Sequence, residues 1–400
     1  MNRGAVIGLA LLAILGGVGL GVLSAGPGGP AASSPANSGL VAVIGSTPPS
    51  FEPVPSGSSA PPSDGPSVAP SATPTPAPTP ILVAAPLDGQ LVSPAAAIRH
   101  PIAVMIDDLL PARPQSGFSA ASIVWQAPAE GGIPRYMLVF QENIPTDVGP
   151  VRSSRYYYIA WAAELRALYA HAGGSPQALA TLKAQGSGQL VYNADEFRWG
   201  GSFHRISTRF SPHNLYTTGK QLRGIATAQG AKDGAIAWPW TFAPDLAIRL
   251  RPTGGRIQVA YLANSIRYDY DQATNTYLRS VTGEKKQVDA ATHQRVAPKN
   301  VVIMLMSFGP LNDGSQKHRL EAKVVGTGTA WIATNGVTIK GTWKKTSLTS
   351  PTRFFDGAGK PVVLTVGQTF VQVMQIGTKV VLVPGTPPVL SSHAIGQIPI

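Results

Sequence analysis

Between residues 101 and 141 the chain alternates short apolar runs with polar breaks. PIAVMIDD (101–108), SIVWQA (122–127) and RYMLVFQ (135–141) are too short for ordinary helices and read as buried strands. From about Ser154 to Leu165 the apolar spacing becomes helical, and ALYAHAGG (167–174) reads as another strand. Ser175-Pro176 then opens the helix PQALATLKAQG, with serine as N-cap, proline at the first helical position and glycine at the end. Strands alternating with helices predict an α/β or α+β layer. The helix-free connection between Ala127 and Arg135 predicts a mixed sheet over a fully parallel one.

After about Ala247 the period falls to two. RIQVAYL, SIRYDYD and NTYLRSV alternate cleanly, and VVIMLMSF is a fuller apolar run. TAWIATNGVTIKGTW carries Asn335-Gly336, the preferred type I′ hairpin turn. FFDGAGKPVVLTVGQTFVQVM reads as a further hairpin. The second half is therefore expected to be mostly antiparallel β.

The ends differ from this body. Arg3 is followed by nineteen uncharged residues, Ala5 to Leu23, which as a helix reach about 28 Å, close to a bilayer core. The reading is a transmembrane anchor over 1–25 with a cytoplasmic N-terminus and an extracytoplasmic body. Secretion after signal cleavage is the alternative. Residues 26–84 are rich in Pro, Ser and Ala and read as a disordered linker that cannot bury enough surface to fold. The body divides into an N-terminal domain over 85–246 and a C-terminal β-rich domain over 247–385, with a loose tail over 386–400.

Composition narrows the chemistry. There is no cysteine, so disulfides, thiolate nucleophiles and a lipid-modified cysteine are excluded. The net charge of +12 lies almost wholly beyond residue 100 and favours polyanionic partners. Nucleic acid is not among them, because no zinc-finger spacing, RNA-binding motif or lysine run is present.

Candidate site residues cluster where strands meet turns. In VGPVRSSRYYY (148–158), Arg152 and Arg155 flank Ser153 and Ser154 at a helix start, and two guanidinium forks there suit a carboxylate or phosphate. An internal acid such as Asp107, Asp108 or Glu130 is the competing partner. His171, Gly173, Gly174 and Ser175 place an imidazole and two glycines beside another helix start. Ser175 is already explained as an N-cap. Arg209, His213 and Asn214 sit in a polar loop. Glu130 and Asp107 are the candidate acid and base, with His171 assisting. Asp107 and Asp108 end a strand and would suit a divalent ion, although no metal or cofactor is otherwise called for. The bland reading of that pair is a turn cap and an ion pair with Arg113.

PIAVMIDD, ARPQSGFSAASIVWQAPAEGGIPR, GPVRSSR, HAGGSP and SPHNLYT, taken in order, resemble the YerB family of bacterial envelope proteins over roughly 85–385. The resemblance implies a two-domain, membrane-attached, extracytoplasmic protein and supplies no settled activity. Family members are often lipoproteins, so here an anchor helix must replace the lipid. Asp108 stands where the family's strand commonly has asparagine. Gln287 stands where its second domain usually has histidine, with Asp289 retained. The expectation is an envelope protein that binds an anionic wall polymer or a wall-synthesis protein through a basic pocket in the N-terminal domain. A wall hydrolase and a structural scaffold are the alternatives.

Overall fold

The computed structural model describes residues 80–389. The expected anchor, nearly all of the linker and the end of the tail lie outside the described residues. Among the described residues no helix is long and apolar enough to cross a membrane.

One ten-stranded mixed sheet runs through both halves of the body. Its order is Arg353–Phe355, Val337–Lys345, Gly326–Thr334, Asn300–Met306, Thr369–Gln375, Ile123–Pro128, Pro134–Phe140, Ile102–Asp107, Leu168–His171 and Tyr192–Asp195. The first five strands come from the C-terminal half and the last five from the N-terminal half. They join where Thr369–Gln375 pairs parallel with Ile123–Pro128, setting Gln372 beside Gln126. The two regions distinguished in the sequence thus share one backbone ladder.

Both faces of the central strands are covered, so their side chains are buried without alternation. One face packs Ala103, Met105, Trp125 and Val371 under the helix Tyr156–Ala163. Trp125 and Trp161 stack there with centroids 4.7 Å apart. The other face packs Val104, Ile106, Tyr136 and Phe370 against the helix Gly219–Ala228 and a second, four-stranded antiparallel sheet. That sheet has the order Thr276–Val281, Asn264–Asp271, Arg256–Tyr261, Val381–Val383.

The strands read at 101–108, 122–127, 135–141 and 167–174 form, as does the helix after the Ser175 cap, which spans Pro176–Gln185. Asn335 and Gly336 take φ of 48° and 76° at the hairpin turn between Gly326–Thr334 and Val337–Lys345. One reading is corrected. Residues 354–374 do not fold back as a single hairpin. Val363–Thr365 pairs parallel with Thr241–Ala243, and Thr369–Gln375 inserts between Asn300–Met306 and Ile123–Pro128, parallel to both. A strand apolar on both faces belongs in the middle of a sheet, where long-range partners exist for both edges.

Candidate functional site

The arginine-rich stretch is threaded between two strand ends. Asp107 N–H donates to Pro150 O at 2.9 Å and Arg152 N–H to Met105 O at 2.9 Å. On its other side, Ala172 N–H donates to Arg152 O (3.1 Å) and Ser154 N–H to Gly173 O (2.9 Å). The neighbouring loop is tied in by Val151 N–H to Leu215 O at 2.6 Å. These backbone bonds bring together Asp107, Arg152, His171, Gly173 and His213, which stand far apart in the chain.

The charges on this face are paired with one another. Arg152 Nε lies 2.9 Å from Asp107 Oδ2, and the same oxygen lies 2.7 Å from His213 Nδ1. The other Asp107 oxygen caps Leu109 N–H at 3.0 Å. Arg155 is buried and ion-pairs with Glu130. Arg135 reaches Glu130 at 3.2 Å and donates to Ser153 O at 2.6 Å. Arg319, from the C-terminal half, approaches Glu130 at 3.9 Å and Asp313 at 2.5 Å. Burial pushes the Arg155 guanidinium down to about 10, and Arg319 nearby acts in the same direction. The expectation of unbalanced cationic charge at Arg152 and Arg155 is therefore corrected: each has an internal carboxylate. The reason is topological, because the sheet brings the ends of two strands, each carrying an acid, onto the helix start.

The other candidates separate cleanly. His171 is fully buried, with Nδ1 2.8 Å from Gly173 O and Nε2 2.8 Å from Asn193 Oδ1, and desolvation lowers its pKa. Both ring nitrogens are used inside, so it does not face a substrate beside Glu130. Glu130 is held among three guanidiniums and ties the two halves. Ser154 Oγ bonds Tyr169 Oη at 2.9 Å, and Ser175 Oγ accepts from Ala178 N–H at 3.3 Å as the cap. Gly173 N–H donates to Asp195 at 2.9 Å, while Gly174 packs against Leu179. Arg209 donates to Ala112 O, Pro114 O and Tyr216 Oη, fastening one loop to another. Asn214 accepts from Arg205 and donates to Ile206 O. Asp108 is filled by Arg113, Gln126 and Asn264 at 2.6 to 2.8 Å, which leaves a cation at Asp107 and Asp108 no vacant oxygen on the second residue. Tyr157 and Tyr158 are buried, and their hydroxyls bond the ends of the 123–128 and 134–140 strands.

Two features of this face were not legible in the sequence. Phe197 and Phe210 are 82% and 91% exposed. Phe197 lies against Gly173, and Phe210 precedes His213, whose N–H donates to Phe210 O at 2.9 Å.

A second buried system joins the halves. Arg279 is fully buried and donates to Tyr268 Oη (2.9 Å), Tyr136 Oη (3.0 Å), Gln126 Oε1 (2.5 Å) and Gln287. Its guanidinium lies over the rings of Tyr136, Tyr268 and Phe370 at 5.3 to 5.4 Å. Gln287 thus has a structural task at the family's histidine place. Asp289 accepts from Ser119 N–H at 2.7 Å and from Gly117 N–H at 3.2 Å.

These elements match known proteins over both halves. Residues 87–232 match the N-terminal domain, and 257–371 the C-terminal domain, of a family described as "Protein of unknown function (DUF3048)". The Bacillus subtilis (strain 168) protein named "Putative lipoprotein YerB" is 32% identical over 269 residues, covering 65% of this chain and 78% of the relative. The chain belongs to the YerB family. The crystal structure of Bacillus subtilis YerB superposes with a TM-score of 0.65 at 27% identity, covering 74% of this chain and 99% of that one. The two-domain, sheet-rich architecture is therefore a YerB architecture, and the ladder between its halves is the feature that makes them one body.

Proposed function

We propose that the protein is a membrane-tethered, extracytoplasmic envelope protein that binds an anionic wall polymer or a wall-synthesis partner through the strand-end face of its N-terminal half. The tether reading rests on the apolar segment after Arg3 and on a relative named as a lipoprotein. The observation that carries the binding reading is the occurrence of two exposed aromatic rings, Phe197 and Phe210, on the face that holds a partly exposed Arg152–Asp107–His213 cluster. Charged forks and imidazole can exchange hydrogen bonds with polymer hydroxyls and anionic groups. Exposed rings supply apolar contact at little cost in conformational entropy. The test is sedimentation of the soluble body with purified wall fractions at moderate salt. The triple variant Arg152→Ala, Phe197→Ala, Phe210→Ala is expected to lose at least tenfold in binding; retention equal to wild type would sink the reading.

One observation favours a hydrolase as the second reading. Asp107 engages Nδ1 of His213, an arrangement that orients an imidazole whose Nε2 can take a proton. Turnover of a labelled wall substrate that vanishes in His213→Gln would move the assignment there.

A further inference from the structure

The unbalanced positive charge that the sequence leads one to expect exists, at the opposite end of the sheet. A cavity of ≈ 500 Å³ opens beside the N-terminal ends of Ile102–Asp107 and Tyr192–Asp195, lined by His100, Arg166, Tyr192, Lys232, Gly230 and Gly234. That is ample for a small anionic group with substituents on two sides. Neither Arg166 nor Lys232 has a carboxylate partner among the described residues, in contrast to Arg152 and Arg155. Arg223 lies close by, donating to His100 O and Gln141 O, and Asp233 accepts from His100 N–H at 2.7 Å.

Arg166 is held in a costly way. It follows the end of the helix Tyr156–Ala163 with φ of 47°, the left-handed region where a helix terminus ordinarily takes glycine. An L side chain is strained there, because its Cβ crowds the following carbonyl oxygen. Its guanidinium is fixed over the Tyr192 ring at 5.2 Å, and Nε donates to Gly188 O at 2.6 Å. Its terminal guanidinium nitrogens have no carboxylate partner among the described residues, and Arg166 lines the cavity. A strained, pre-positioned cation is the pattern of a binding residue.

We propose that this cavity binds a phosphodiester between the Arg166 guanidinium and the Lys232 ammonium. A planar fork and a point charge arriving from two different segments suit the two non-bridging oxygens of one tetrahedral anion. The site is independent of the strand-end face, so either can fail alone.

His100 couples this site to pH. Its ring nitrogens face two carbonyl oxygens, Lys232 O from Nδ1 at 3.2 Å and Arg166 O from Nε2 at 3.0 Å. A neutral imidazole has a single N–H and satisfies one of them; the imidazolium satisfies both and ties together the segments bearing the two cations. Burial lowers the His100 pKa, with Arg223 adding to that and the backbone carbonyls and Asp233 opposing it. The Tyr192 ring packs edge-on against it at 5.1 Å. An anion in the cavity favours the imidazolium, so by linkage affinity rises as pH falls.

The test uses the full-length chain in detergent and glycerophosphoglycerol, which carries one charge throughout, titrated calorimetrically at pH 7.5 and 5.5. Binding is expected to be several-fold tighter at pH 5.5. Lys232→Ala should weaken it about tenfold, and His100→Gln should remove the pH dependence. Arg166→Gly relieves the backbone strain, so it should keep the wild-type melting temperature while weakening binding at least tenfold. Displacement by soluble poly(glycerol phosphate) would assign a wall polymer. Displacement by phosphatidylglycerol micelles alone, with phosphatidylcholine as control, would assign a lipid headgroup. Equal binding of Arg166→Gly and wild type, or equal affinity for a sugar carboxylate of the same size, would overturn the proposal.

Discussion

Arg279 shows what a single residue contributes. Period two in NTYLRSV puts Tyr277, Arg279 and Val281 on one side of a strand, and all three are buried. An arginine at core parity was therefore a visible signal, but its partners were not. They come from residues 126, 136, 268, 287 and 372. Removing the guanidinium leaves several buried acceptors unpaired. Arg279→Ala is expected to cost about 3–5 kcal/mol, read as a lower urea midpoint. Arg279→Lys should recover little of this, because an ammonium cannot reproduce the fork or its stacking. The same logic explains Arg152 and Arg155. Their charge and position were legible, whereas no local signal singled out Asp107 and Glu130 from the other acids as their partners.

At the scale of elements, local chemistry decided well. The Ser175-Pro176 start, the strand ends near Asp107 and the Asn335-Gly336 turn all form as their residues dictate. That turn is also packed from outside. A Cβ at Gly336 would lie 2.3 Å from Tyr270 Cε1, in addition to the strain of φ near 76°. Gly336→Ala is expected to cost about 2–3 kcal/mol. Gly359→Ala has a similar φ of 80° with open space around it and should cost about 1 kcal/mol. Comparing their thermal midpoints separates strain from collision. The strand Thr369–Gln375 is the opposite case. Its apolar run foretold burial, but its neighbours, one of them about 245 residues away at Ile123–Pro128, lay beyond any local signal.

For the whole molecule, the shared sheet has a consequence for cooperativity. The described residues form one compact unit, and the two family regions exchange backbone bonds, the Arg279 network and the Asp289 contacts. The body over residues 80–389 is expected to unfold in a single calorimetric transition. A fragment ending near residue 250 would expose the 123–128 strand edge and the face that carries Tyr136. It is expected to give no cooperative transition, and two separate transitions in the intact body would refute this. The sequence by itself determined the central strands, the helix starts near Ser154 and Ser175, the absence of thiol chemistry, the family, and the surplus of basic charge. Those depend on residue type and on spacing within a few positions. Only the tertiary structure decided which cations are neutralised and which face a cavity, because charge pairing depends on strand order, and strand order is set by contacts hundreds of residues apart.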